Sequence, residues 1–103
     1  MVRKDYDTRR LLADYHYESA MKNRIFAARA KRAGNVELAA ECDEIADRRL
    51  REMAKREKED AAAGLEPLPH YDESYKRGMR ERVAEEIARE IAEEEKKKKI
   101  LGE

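Results

Sequence analysis

Apolar and polar positions follow a helical period along almost the whole chain, and the pattern breaks twice. The first break is Gly34-Asn35; the second is Gly64-Leu65-Glu66-Pro67-Leu68-Pro69-His70. The periodicity predicts three helices, from about Asp5 to Ala33, Val36 to Ala63 and Asp72 to Lys99. Gly34 suits the left-handed position after the first helix, and Asn35 is a good N-cap for the second. A two-residue break between helices of similar length reads as an antiparallel helical hairpin. Pro67 and Pro69 favour an extended path, so residues 64–71 read as a linker. The expected fold is all-α: a hairpin over residues 1–63, the linker, and a third long helix over 72–103. Seven extended residues reach at most ~25 Å. The third helix can therefore close a three-helix bundle on its own hairpin or swap into a dimer.

Each helix shows a different apolar pattern at 100° per residue. Helix one has two shoulders. One holds Tyr17, Met21, Ile25 and Ala28; the other holds Leu12, Tyr15, Phe26, Ala30 and Ala33. Helix two carries one narrow stripe from Leu38 through Ala39, Cys42, Ile45, Ala46 and Leu50 to Met53, then a charged end. The expected hairpin core is Leu12, Tyr15, Met21, Ile25, Phe26, Leu38, Cys42, Ile45, Leu50 and Met53. In helix three, Tyr71, Tyr75, Met79, Val83, Ile87 and Ile91 recur every four residues. That period exceeds 3.6, so the stripe advances about 40° per step and cannot face one straight partner throughout. Ala84, Ala88 and Ala92 widen it. Asp72 or Ser74 would cap the helix. Gly78 costs roughly 1 kcal/mol relative to Ala inside a helix and predicts fraying or a kink near the start.

Composition agrees with helices and points to a thin core. Ala, Glu, Lys, Leu and Arg account for 64 of 103 residues, whereas Leu, Ile, Val and Phe number only 16. This excludes a multidomain enzyme, an all-β domain and a disulfide scaffold. A thin core makes association with a second chain useful for offsetting the entropy of ordering. Formal net charge is zero, with 24 basic and 24 acidic residues. The charge is unevenly spread: residues 1–35 hold nine basic and four acidic side chains, and 36–63 hold six basic and nine acidic. In a hairpin, Arg29, Lys31 and Arg32 are expected beside Glu37 and Glu41 across the turn. No apolar run reaches the ~18 residues that span a bilayer, and no secretory signal is visible near the N-terminus. With Cys42 as the lone cysteine, a cytoplasmic location is expected.

Catalytic chemistry has little support in the residues. Neither His16 nor His70 has a Glu three positions before it, as a di-iron bundle requires, and paired cysteines are absent, so no metal or other cofactor is implied. Cys42 lies on the stripe of helix two, where a small core residue is the ordinary reading. Arg9, Arg10, Arg24, Lys31 and Arg32 could form a basic face on helix one with tyrosines nearby, which is the pattern of a nucleic-acid-associated regulator.

The stretch Gly34 to Leu50 resembles the hairpin of UVR-type domains of excision-repair proteins. Val36, Glu37, Ala39 and Ala40 match that pattern in kind. The aromatic residue of the pattern is absent, Asp43-Glu44 stands where Arg-Asp occurs, and no family assignment rests on the likeness. It implies pairing between helical hairpins of different proteins, which agrees with the residues' own reading. The preferred expectation is a non-enzymatic, self-associating protein–protein interaction module, acting as a small adaptor, regulator or inhibitor. Its interface is expected at Tyr75, Met79, Val83, Ile87 and Ile91, with a homodimer as the expected assembly and no membrane partner.

Overall fold

The structure is a computed structural model, and it describes residues 5–102. Three α-helices follow one another: α1 (Tyr6–Arg32), α2 (Val36–Ala62) and α3 (Glu73–Ile100). A short 3-10 turn, Pro69–Tyr71, lies between α2 and α3. The class is all-α.

Local chemistry sets the helix ends. Asp5 caps α1 by accepting a hydrogen bond from the Thr8 amide at 2.8 Å. At the other end the Asn35 amide donates to the Ala30 carbonyl and the Gly34 amide to the Lys31 carbonyl. This is a Schellman ending, and it needs Gly34 at φ +80°. The Asn35 side chain then accepts from the Leu38 amide, so a single residue closes α1 and opens α2. Gly64 repeats the same ending after α2, with Leu65 donating to Asp60. Asp72 caps α3 by accepting from the Ser74 hydroxyl and the Ser74 amide, and these two bonds hold its carboxyl below the usual range. Gly78 neither frays nor breaks α3, which runs unbroken from Glu73 to Ile100.

The hairpin core differs from expectation. Its seam is mainly alanine. Ala13, Ala20 and Ala27 recur every seven residues on α1 and meet Ala39, Ala46 and Met53 at the same spacing on α2. Small side chains let the two backbones approach closely, so bulky residues at flanking positions are left at the rim. Leu12, Tyr15, Phe26, Leu38 and Leu50, all expected in the core, are therefore exposed. Cys42 and Met53 are buried as expected, while Met21, Ile25 and Ile45 are half-buried.

The linker is packed and does not act as a loose spacer. Leu68 and His70 are buried, and Leu68 joins Ala13, Tyr17, Met53 and Met79 in the central cluster. The Tyr17 hydroxyl donates to the His70 carbonyl, and His70 Nε2 meets Asp14 Oδ1. Deeper in, Arg9 and Asp60 form an ion pair at 3.1 Å with both side chains nearly inaccessible. Arg9 also donates to the Glu66 carbonyl, and Tyr71 donates to Asp60. Burial, and then the neighbouring Asp60 carboxylate, push the Tyr71 hydroxyl pKa up. These bonds tie the start of α1, the end of α2 and the linker into one knot, which fixes where α3 begins.

From that knot α3 runs parallel to α1. The rings of Tyr17 and Tyr75 meet edge-on at 6.0 Å near its start. Farther along, Arg29 and Arg32 hold Glu90, and Arg32 also holds Glu94. The cations expected beside Glu37 and Glu41 are thus spent on α3, and Lys31 pairs with Asp43 instead. The reason is geometric: a parallel α3 brings two carboxylates, one turn apart, alongside the last turn of α1. A helix of 27 residues is about 40 Å long, yet the molecule measures 63 Å. Part of the excess is the end of α3, which continues about 9 Å beyond its contact with Arg32 near the hairpin turn.

Candidate functional site: an open cleft between the three helices

The drift of the α3 stripe decides what it touches. Tyr75 and Met79 face α1 at the start of the helix, and Met79 is buried. Each further step of four residues turns the stripe about 40° away from α1. Val83 and Ile87 are accordingly half-buried, and Ile91 is 37% exposed. The turn carries the stripe toward the side of α3 that faces α2, where the two helices do not close on each other.

The result is a cleft of about 410 Å³. Its floor is α1, through Tyr17, Ala20, Met21 and Arg24; one wall is α2, through Leu50, Ala54 and Glu57; the other is α3, through Lys76, Met79, Arg80 and Val83. Ion pairs mark its two ends. At one end Lys76 Nζ bridges to Glu57 Oε1 at 3.1 Å, linking α3 to α2. At the other, Arg24 reaches across from α1 to Asp43 and Asp47 on α2. Burial works against the charge on Arg24, but hydrogen bonds to the two carboxylates outweigh it and its pKa rises. Burial likewise raises the Tyr17 hydroxyl. Arg80 lines the cleft without an ion pair among the described residues. The interior is apolar; Arg24 and Lys76 are paired with carboxylates, which leaves Arg80 as the rim cation without an ion pair among the described residues.

Of the expected interface residues, Met79 and Val83 line this cleft. Tyr75 packs into the core beside Tyr17 and His70, while Ile87 and Ile91 continue along α3 beyond the enclosed part. The five basic residues grouped on helix one do not share a free face. Arg9 is buried against Asp60, Arg24 holds Asp43 and Asp47, Lys31 lies 3.6 Å from Asp43, and Arg32 holds Glu90 and Glu94. Arg10 is exposed and has no ion pair among the described residues.

Ala54, Glu57 and Arg80 were not singled out from the sequence; Leu50 was expected in the hairpin core and not on a cleft wall, and the role of Tyr17 and Met21 as a floor was not foreseen. The seven-residue recurrence of alanine on both helices was the available signal: it places Leu50 and Ala54 beside the seam and not inside it. Among the described residues no group of three His, Cys, Asp or Glu side chains could hold a metal ion. No helix there is long and apolar enough to cross a membrane. No protein-family model, curated protein or solved structure matches the chain.

Proposed function

We propose that the protein is a helical interaction module that receives an amphipathic helix in the cleft between α2 and α3. The observation that carries this reading is the open cleft itself: three helices enclose three sides of an apolar trough and leave the fourth side unfilled. Helix-in-groove recognition uses such a trough, with apolar side chains spaced three and four residues apart entering it. Arg80, without an ion pair among the described residues, favours a partner helix with an acidic flank. Catalysis is a poorer fit to the same walls, since Glu57 and Lys76 neutralise each other and, among the described residues, no second carboxylate or imidazole lines the cleft with them.

Methionine methyl resonances test the reading. Met21 and Met79 line the cleft, whereas Met53 lies in the hairpin seam. Titration with stapled helical peptides, bearing isoleucine at i and i+4 and glutamate on the flanks, is expected to shift Met21 and Met79 and leave Met53 nearly still. Silence at Met21 and Met79 of protein shown by light scattering to be single-chain, with every such peptide at millimolar concentration, would overturn it.

A further inference from the structure

Resting on the interaction reading above, we infer that the helix entering the cleft is α3 of a second copy, laid antiparallel to the first α3. One side of α3 carries, in order, Lys76, Arg80, Ala84, Ile87, Ile91 and Glu94, all within about 80° of arc at the helical period; Lys76 at its start holds Glu57 of α2, and Glu94 at its end holds Arg32 of α1. Read forward this is basic, apolar, acidic; read backward it is acidic, apolar, basic. Two copies placed head to tail therefore set the basic end of each against the acidic end of the other and Ala84 against Ile87 in the middle, with Arg80 across from Ile91 and one turn from Glu94 and Glu95. A parallel pairing would set Arg80 against Arg80 and Glu94 against Glu94. The polarity extends beyond this face. Residues 73–84 hold four basic and two acidic side chains, and residues 85–95 hold one basic and six acidic.

Size is complementary as well. With residue 84 of one copy opposite residue 87 of the other, each Ile87 lies against an Ala84. The second copy's Ile91 then enters the cleft beside Met79 and Val83, which line it. In the same register Glu94 and Glu95 of the second copy face Lys76 and Arg77. Arg77, Arg80 and Glu95 form no ion pair among the described residues, so their charges are available to a partner. A two-fold axis through the middle of α3 makes the contact isologous: each copy fills the other's cleft, and the assembly closes as a dimer. Ile91, 37% exposed in the single chain, is buried by it.

Reciprocal charge reversal tests the arrangement. One variant carries Arg77→Glu and Arg80→Glu; the other carries Glu94→Lys and Glu95→Lys. Light scattering after size exclusion should give twice the 12.1 kDa chain mass for the unchanged protein. Each variant alone should fall to the single-chain mass, and an equimolar mixture should return to the doubled mass. Far-UV circular dichroism and thermal melts check that both variants fold; Arg32 keeps Glu90 when Glu94 is replaced. A dimer that survives both reversals, or variants that fold yet fail to recombine, would overturn the antiparallel α3 pairing. An unchanged protein that stays single at every concentration would overturn it too. The peptide titration is read separately: methyl shifts with acidic helical peptides in a single-chain protein would leave the cleft as a site for a foreign helix.

Discussion

Replacing Asp60 by Ala should destabilise the protein more than almost any other single change to a polar residue. Asp60 is 7% exposed, and its Oδ2 accepts from Arg9 Nε at 3.3 Å and from Arg9 Nη2 at 3.1 Å, as well as from the Tyr71 hydroxyl. Removing one partner of a buried ion pair typically costs about 3–5 kcal/mol, because the other charge stays behind uncompensated. Arg9 keeps one bond here, to the Glu66 carbonyl at 2.6 Å, which lowers the penalty. The Tyr71 hydroxyl loses its acceptor, which restores about 1 kcal/mol to the cost. The expected loss is therefore about 3 kcal/mol, a large part of the 5–15 kcal/mol typical of a domain. For a chain of this size that corresponds to a fall in Tm of roughly 12–24 °C. Urea unfolding followed by circular dichroism at pH 7 measures it directly. The companion variant, Arg9→Met with Asp60→Leu and Tyr71→Phe, removes both charges of the buried pair together with the hydroxyl bonded to it. It should recover to within about 1.5 kcal/mol of the parent, since apolar replacement of a buried pair is often neutral or better. A loss under about 1 kcal/mol for Asp60→Ala would place the pair among solvated surface bridges and refute the account of the linker knot.

Three further outcomes follow from other parts of the fold. Ala46 is 0% exposed at the centre of the seam; Ala46→Leu should cost about 1–3 kcal/mol by forcing the helices apart, and an unchanged urea midpoint would show that the seam is loosely packed. Gly78 lies inside α3 with open space where a Cβ would go and no positive φ, so Gly78→Ala should stabilise by about 0.4–1 kcal/mol, read from the same midpoint. Glu90 has its pKa lowered from 4.5 to about 2, first by the hydrogen bond from Arg29 and then by that from Arg32. A lowered pKa means that the folded state favours the carboxylate. The stabilisation is therefore complete above the unfolded value and lost as pH falls from about 5 toward 2. The parent Tm should drop across that window more steeply than the Tm of Glu90→Gln; parallel curves would remove Glu90 from the docking of α3.

The ends of the helices were legible in the sequence because the interactions that set them are local. Asp5, Asn35 and Asp72 cap amides two or three residues away, and Gly34 and Gly64 close Schellman endings within six residues. The all-α class, the three segments, and the shared stripe of Met79 and Val83 on the third helix all came from patterns within single helices. The period-four drift of α3 belongs with them. It foretold that the stripe would leave its first neighbour, and the structure has Met79 buried and Ile91 exposed.

Tertiary structure decided which residues face one another. The tally of large side chains put Leu12, Tyr15, Phe26, Leu38 and Leu50 inside, but the distance between two helices is set by the smallest side chains at their contact. Once alanines met alanines, the large residues fell to the rim. The knot joins Arg9 to Asp60 and Tyr17 to His70, pairs 51 and 53 residues apart, and no periodicity within one helix reports such contacts. Nor could the sequence assign the cations of α1 to Glu90 and Glu94, since that choice depends on α3 running parallel to α1. The cleft follows from the same fact. A helix anchored to α1 by the linker knot at one end and by arginines at the other lies beside α1 and leaves its α2 side open, and only the assembled fold determines how wide that opening is.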